Sequence, residues 1–252
     1  DVSKFDPEDL LQGGPAVRVA GSVSGGIIFD VKPKDADPKD NDEDKDGIED
    51  AKEGNASVTS FGAAPAVQIG SSSGNVAVGA LAGNADGFGL VINGDLLGSG
   101  VYKTVEGNGL QLGGTGGTVT IAGGAAVNGT IGAKSLDANA TAVRVGAGAT
   151  MPKLLVGGTI AATSGAGASG QVRGVSVDAG ASLATITIKG TISAVSTGDA
   201  TATAIRDASG TLTLIDNTGA ITAQSKKTAV ESAVAIDLQA NTSGATVRQN
   251  KV

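Results

Sequence analysis

Residues 153–194 read KLLVGGTIAATSGAGASGQVRGVSVDAGASLATITIKGTISA, and they contain one short pattern twice. Gly-Thr-Ile-x-Ala begins at Gly158 and begins again at Gly190, 32 residues later. Between the two copies lie short apolar stretches separated by Gly, Ser, Ala and Asp, which is typical of short β-strands joined by frequent turns. The interval between copies therefore suggests a repeat architecture.

Two independent markers keep this interval over most of the chain. An apolar-x-apolar strand recurs with steps of 33, 32, 30 and 31 residues, starting at Leu110, Val143, Val175, Ile205 and Ile236. A Gly-x-Ile/Leu turn recurs with steps of 35, 29, 32 and 29 residues, starting at Gly94, Gly129, Gly158, Gly190 and Gly219. A period of about 31 residues with two or three strands per period predicts an all-β fold, a right-handed parallel β-helix of stacked rungs.

Alternation along each strand predicts which side chains face inward. The aliphatic stack inside the coil should consist of Ile131, Ile160, Ile192 and Ile221. The glycine of each turn is expected to supply a positive φ at a tight corner. An outward column, either a ligand-facing stripe or an ordinary polar exterior, should consist of Arg18, Gln68, Gln111, Arg144, Ser176, Arg206 and Asp237.

The first rungs are longer than the others, because the steps from Val17 to Val67 and from Val67 to Leu110 are 50 and 43 residues. We assign the excess to an acidic insertion at residues 32–57 and to a loop at residues 82–89, since insertions in solenoids become loops on one face. Residues 1–252 are then a single domain with regular rungs at 62–252 and a cap at 1–13. The cap should be a short helix from Pro7 to Leu11, with Asp6 as N-cap and Asp9 as its N3 acid.

The acidic insertion predicts a cation site. Residues 30–53 hold eleven acids and five lysines, a balance of −6 within a chain of net charge −7. Residues 42–53, DEDKDGIEDAKE, place oxygens at positions 1, 3 and 5, a glycine at 6 and a carboxylate at 12, which is the pattern of a calcium loop. The expected ligands are the side chains of Asp42, Asp44, Asp46, Asp50 and Glu53 and the carbonyl of Ile48.

This loop resembles the DxDxDGxxD calcium loops of thrombospondin type 3 repeats and dockerins, although its apolar residue, Ile48, stands one position earlier than in an EF-hand loop. The resemblance implies a structural calcium ion that orders a self-repelling segment. The alternative is a solvated, disordered acidic loop.

Composition excludes several kinds of chemistry. The chain has no cysteine and no histidine, so disulfides, thiol chemistry and imidazole catalysis are absent. Outside the insertion the charge is nearly balanced and forms no basic stripe, which argues against nucleic acid. No apolar run approaches the ~18 residues of a membrane-spanning helix. With one Tyr and no Trp, sugar-stacking platforms are scarce.

A catalytic alternative would draw on acids of neighbouring rungs. That cluster would contain Asp178, Asp199, Arg206, Asp207, Asp216 and Asp237. Glycosidases need two carboxylates at a defined separation across a sugar. Scattered acids on a solvated face are the interpretation that we favour, so we predict no catalytic residues and no enzyme.

With the rungs assigned, residues 62–252 resemble the passenger domains of bacterial autotransporters and related β-helix adhesins, mainly through the Gly-Thr-Ile-x-Ala turns of residues 153–162 and 185–194. The resemblance implies a secreted or outer-membrane surface protein that presents a face to a protein or glycan ligand. Two other functions stay open, a carbohydrate-active β-helix enzyme and a subunit that associates end to end in a surface filament. Because the last rung stops before its Gly-x-Ile turn, we expect a fragment of a longer array. An immunoglobulin-like array is the alternative fold, disfavoured because its repeats are usually near 100 residues.

Overall fold

The computed structural model describes residues 4, 6, 9, 13–34, 36–37, 39–43, 45, 47–229 and 231–250. Over this part of the chain the protein is a parallel β-helix, because its strands form three sheets in which every assigned strand pair is parallel. Successive rungs contribute strands to the three sheets in turn, and we call these sheets A, B and C. The predicted fold class is confirmed. No helix within the described ranges is long and apolar enough to cross a membrane.

The strands are numbered along the chain. Sheet A is ordered β1 (Val17–Val19), β4 (Val67–Ile69), β8 (Gly107–Leu112), β12 (Ala140–Val145), β15 (Gln171–Val177), β18 (Thr201–Asp207) and β21 (Ala233–Asp237). Sheet B is ordered β2 (Ile27–Phe29), β6 (Leu90–Ile92), β10 (Ala125–Val127), β13 (Ala149–Val156), β16 (Ser182–Ile188), β19 (Leu214–Asn217) and β22 (Thr246–Gln249), with β5 (Val76–Val78) and β9 (Val119–Ile121) beside it. Sheet C contains β3 (Ser57–Phe61), β7 (Asp95–Ser99), β11 (Thr130–Ser135), β14 (Thr159–Ser164), β17 (Thr191–Ser196) and β20 (Ala220–Ser225).

Strand register confirms both sequence markers. In sheet A, Val143 pairs with Val175 and Val175 pairs with Ile205. In sheet C, Ile160 pairs with Ile131 on one side and with Ile192 on the other. The long steps also join direct partners, since Val67 pairs with both Val17 and Leu110. The extra residues of the first rungs therefore leave the coil as loops and do not shift the register.

The core is a continuous column of small aliphatic side chains inside the coil. Ile131, Ile160 and Ile192 are fully buried, and Ile221 packs half-buried against the same cluster. Full burial of one such side chain stabilises the fold by about 1.5–3 kcal/mol. Because each inward residue contacts its counterparts on the rungs above and below, the stack carries most of this stabilisation.

The glycines of the Gly-x-Ile turns are required for a different reason from the one that we expected. Positive φ occurs at other glycines, and Gly94, Gly129, Gly158, Gly190 and Gly219 are not among them. A Cβ on Gly158 would lie 2.1 Å from the carbonyl oxygen of Gly129, and one on Gly190 would lie 1.9 Å from that of Gly158. Close backbone approach between rungs, and not left-handed geometry, thus selects glycine in this column.

The loop of residues 79–89 connects β5 to β6, where the sequence places the second excess. Its Leu81 and Phe88 pack with Val91, Ala126 and Leu155 in a small cluster on the outer face of sheet B. Phe88 is 2% exposed, and the Lys153 ammonium lies 4.3 Å from the centroid of its ring. The loop therefore covers one face of three successive rungs.

Of the predicted N-terminal helix, Pro7 to Leu11, only Asp9 belongs to the described residues, so the helix stays a prediction. Of its expected capping residues, Asp6 and Asp9 are described. The Asp6 backbone N–H donates to Oδ2 of Asp9 at 3.1 Å, as a capping box requires of its N3 acid.

Candidate functional site

The acidic insertion leaves the coil after β2 and returns before β3 through a narrow neck. At the neck the Ala56 N–H donates to the Asp30 carbonyl at 2.7 Å, and the Lys32 N–H donates to Oδ1 of Asn55 at 3.0 Å. Asn93 of the next rung also donates to Oδ1 of Asp30, at 2.7 Å. These hydrogen bonds therefore fix the base of the insertion to the rungs.

Part of the predicted calcium loop forms a turn that is closed by a side-chain hydrogen bond. Oδ2 of Asp42 accepts the N–H of Gly47 at 3.0 Å, which joins loop positions 1 and 6. Gly47 has φ +91°, so here a glycine is needed for its left-handed geometry. A 3-10 turn, Asp50–Lys52, follows, and the Asp50 N–H donates to the Asn41 carbonyl at 2.7 Å.

Glu43 and Asp50 interact across this loop. The Glu43 N–H donates to Oδ1 of Asp50 at 3.3 Å, and Asp50 is 7% exposed. A side-chain hydrogen bond between the two carboxyl groups lowers the pKa of Glu43 and raises the pKa of Asp50. Backbone N–H groups of Asp37 and Ala36 also lower the pKa of Glu43, because both donate to its Oε1. The contact between the two acids therefore shifts their pKa values in opposite directions.

The predicted ligands fit a cation only in part within the described residues. Asp42, Asp50 and Glu53 lie in the described part of the loop, as does Ile48, whose side chain is 48% exposed. Asp44 and Asp46 lie outside the described residues. Among the residues that are described, no three acidic side chains converge on one point. The oxygen chemistry suits calcium, and its assembly depends on Asp44 and Asp46.

The predicted outward column lies in register on sheet A, but one member, Ser176, is only 1% exposed. Its members pair in register from rung to rung, Arg144 with both Gln111 and Ser176, and Arg206 with both Ser176 and Asp237. A second outward column runs beside it, through Asn108, Thr141, Arg173 and Thr203. Two successive buried residues separate the columns on each strand, for example Ala142 and Val143 on β12.

A groove follows the space between these two columns, and we call it the sheet A groove. One part of it, about 180 Å³, is lined by Arg144, Arg173 and Ser176 together with Thr141 and Gln171. The neighbouring part, about 330 Å³, shares Gln171 and Arg173 and continues past Arg206 to Asp237. Arg173 therefore stands at the junction of the two parts.

Two of the three arginines in the groove are paired with carboxylates. Nε of Arg144 lies 2.6 Å from Oδ2 of Asp178, whose Oδ1 accepts the Ser176 hydroxyl at 3.1 Å. Nε of Arg206 lies 3.6 Å from Oδ2 of Asp237. These pairs hold both aspartates and both guanidinium groups against the wall of the groove.

Arg173 differs from its neighbours. Its Nη2 donates to Oε1 of Gln171, and none of the described carboxylates lies within 4.0 Å of its guanidinium nitrogens. Burial lowers the pKa of Arg173, and the positive charges of Arg206 and Arg144 lower it further. Since an arginine keeps its proton at any ordinary pH, this group is a partly desolvated charge without a carboxylate partner.

The acids that could have formed a catalytic cluster are separated by the fold. Asp207 faces inward in register with Val177 and is 1% exposed. Its carboxylate accepts four hydrogen bonds from the following turn, from the N–H groups of Ser209, Gly210 and Leu212 and from the Ser209 hydroxyl. Asp216 belongs to sheet B and pairs with Arg248 at 3.7 Å. Asp199 is exposed in the turn before β18. Asp178 and Asp237 are therefore the members of this set that border the sheet A groove.

Sequence reasoning missed Arg173 because the apolar-x-apolar marker begins two residues later, at Val175. Alternation extended backwards from Val175 would have turned Arg173 inward, but Gly174 and Val175 are both buried and shift the alternation, so that Arg173 lies on the outer face. It also missed the inward position of Asp207. A signal was present there, because Asp207 stands at a position that is apolar in the copies starting at Val143 and Val175.

The fold and the groove define a β-solenoid with a polar, arginine-bearing groove along one sheet. No family model, curated protein or solved structure matches the chain. Function is therefore inferred from the geometry of the described residues.

Proposed function

We propose that this chain is a secreted or bacterial cell-surface β-helix, adhesin-like and non-catalytic, that presents the sheet A groove to an extracellular protein or glycan. The observation that supports this proposal is the unbroken register of the seven strands of sheet A. Because the strands stay in register, their outward polar side chains form one continuous face and not isolated patches. Extended concave or flat faces of this kind are the usual binding surfaces of solenoid proteins.

The acids beside the groove favour a non-catalytic role. Asp178 is held by Arg144 and Ser176, and Asp237 by Arg206. A general acid or nucleophile must reach the substrate at one defined distance from its partner, and carboxylates held in ion pairs on different rungs are poorly suited to this.

In this proposal the insertion binds one structural calcium ion. The ligands would be Asp42, Asp44, Asp46, Asp50, Glu53 and the Ile48 carbonyl. The contact of Asp42 with Gly47 supports the proposal because it closes the loop between positions 1 and 6. An ion would neutralise the acidic segment and order it beside the rungs.

One observation favours a second function, a polysaccharide lyase or hydrolase. The groove does contain carboxylates with a basic residue beside them, since Arg173, Arg206 and Asp237 line the same part of it. The two functions differ in their products, because an adhesin retains a glycan unchanged whereas an enzyme creates new chain ends.

The test uses the purified full chain with immobilised matrix proteins and with neutral and acidic polysaccharides. Retention on at least one ligand, without new reducing ends and without absorbance from unsaturated ends, is the result that we expect. New ends that disappear in Arg173→Gln would overturn the non-catalytic proposal in favour of the second function. Failure to be retained on any ligand would overturn the adhesin-like role itself.

A third function, end-to-end association into a filament, would use the exposed apolar residue of β22. Val247 on this strand is 49% exposed. Exposed apolar residues on a strand can recruit a second chain. Sedimentation velocity tests this: concentration-dependent growth that Val247→Lys suppresses would support a filament, and a monomer at all concentrations would exclude it.

A further inference from the structure

We infer that the sheet A groove holds an anion site centred on Arg173, and that its ligand is the carboxylate of an acidic saccharide. This inference rests on the proposed binding function of the groove and specifies its ligand. The three arginines of the groove differ in their partners. Arg144 and Arg206 each have an aspartate within 4.0 Å, whereas the partner of Arg173 is the neutral side chain of Gln171.

The position of Arg173 makes an unpaired charge costly. Burial and two like charges disfavour its charged form, while Asp178 and Asp237 favour it from beyond ion-pair distance. Desolvated guanidinium groups are stabilised most by a planar anion that accepts two parallel N–H bonds. A ligand carboxylate at Arg173 would supply this pairing without displacing either existing ion pair.

The charges around the site favour a carboxylate over a phosphate. Three acids line the two parts of the groove, Glu106 in the smaller part and Glu231 and Asp237 in the larger part. Asp178 adds a fourth negative charge beside the groove, where it pairs with Arg144. Glu106 already accepts a hydrogen bond from Nδ2 of Asn139, at 2.6 Å. A dianionic group would meet this surrounding negative charge, whereas a monoanion needs only the one free guanidinium.

The neutral lining of the groove favours a hydroxyl-rich ligand. Thr201, Thr203 and Gln171 surround Arg173 on the larger side, and Thr141 and Asn108 on the smaller side. Hydroxyl and amide groups both donate and accept, as sugar hydroxyls require. Equivalent positions recur at each strand, about 4.8 Å apart, a spacing comparable to the rise of one sugar in an extended polysaccharide. A chain lying along the groove would therefore meet similar groups at each rung.

The experiment measures binding of short galacturonic acid oligomers to the full chain by isothermal titration calorimetry, with galactose oligomers of equal length and free acetate as comparison ligands. Arg173→Gln removes the charge, and Arg173→Lys keeps the charge but loses the planar fork. Arg248→Gln is the matched control, since Arg248 is an ion-paired arginine on sheet B. Thermal unfolding of each variant verifies that the rungs are intact.

We expect the acidic oligomer to bind the wild-type chain, and the neutral oligomer and acetate to bind at least about ten-fold more weakly. Arg173→Gln should weaken binding of the acidic oligomer by about ten-fold or more, Arg173→Lys by less, and Arg248→Gln should leave it unchanged. Equal binding of acidic and neutral oligomers, or an unchanged affinity in Arg173→Gln, would overturn the anion site. Absence of acidic-oligomer binding in the wild type would also overturn it, while retention on other matrix ligands would leave the proposed surface function standing.

Discussion

The regular rungs and the acidic insertion are parts of one chain that are held in place by different forces. In the rungs, Ile160 is fully buried between Ile131 and Ile192. Each strand there is hydrogen-bonded to the equivalent strands of the neighbouring rungs. In the insertion, Ile48 is 48% exposed, and the loop is held largely by carboxylates that accept backbone N–H groups, as Glu43 does from Ala36 and Asp37. Packing orders the first region, whereas local hydrogen bonds and, on our proposal, an ion order the second.

The strongest way to expose this contrast is to shorten one isoleucine in each region. Ile160→Ala should destabilise the protein by about 2–5 kcal/mol, because it removes buried methyl groups and leaves a cavity between rungs. Ile48→Ala should change the free energy of unfolding by less than about 0.5 kcal/mol. Urea denaturation followed by circular dichroism measures both. Equal effects would show that the insertion is packed into the core.

A second contrast uses glycine. Gly158→Ala brings a Cβ to 2.1 Å from the Gly129 carbonyl oxygen, so the rungs must separate locally, at a cost of about 1–3 kcal/mol. At Gly54, beside the neck of the insertion, a Cβ would have no atom within 4 Å. Gly54→Ala should therefore be neutral or stabilising by less than about 1 kcal/mol. A tolerated Gly158→Ala would contradict the close-approach explanation of the glycine column.

Calcium should affect the insertion much more than the rungs and should leave the fold unchanged. We expect calorimetric heat on titration with calcium, protection of residues 32–57 from proteolysis, and a change in the unfolding free energy of the rungs of about 1 kcal/mol or less. The protection should be lost in Asp44→Ala and on addition of a chelator.

The matched control for the calcium titration is Asp178→Asn, which removes an acid from the rungs and leaves the insertion intact. It should bind calcium as the wild type does. If the wild type gives no heat on titration, or if Asp44→Ala still gives heat, the prediction of a calcium site in the insertion is wrong.

The smallest effect concerns the ion pairs on the groove wall. The Arg144 side chain is 50% exposed in its pair with Asp178, so solvent screens the interaction. Arg144→Gln should cost no more than about 1 kcal/mol, and the difference from the wild type should shrink in high salt. A larger loss that salt does not reduce would mean that this pair supports the rungs and not only the groove.

How much of this structure the sequence predicts depends on whether a feature repeats. Val143-Arg144-Val145 and its copies predict the fold, the register and the outward column, because a repeat turns spacing along the chain into contact between rungs. Features that occur once are less predictable. The cover that Phe88 forms over sheet B and the pairing of Arg173 with Gln171 in place of a carboxylate both depend on side-chain contacts that no period encodes.

The glycine column shows an intermediate case. Its positions are correct in the sequence interpretation, but its cause is not, since spacing reveals where a small residue recurs and not whether φ or a neighbouring carbonyl demands it. In the calcium loop, the pattern of residues 42–53 predicts a ligand set, and the hydrogen bond from Gly47 to Asp42 joins its first and sixth positions.

The loop that carries Phe88 reaches across three rungs, since Phe88 belongs to the turn containing β6 whereas Lys153 and Leu155 belong to the turn containing β13. A stack in which each rung contacts only its neighbours unwinds one coil at a time. We expect this contact of the Phe88 loop to make the rungs that contain β6, β10 and β13 unfold as one unit, and to make them more resistant to force along the axis than the rungs that follow.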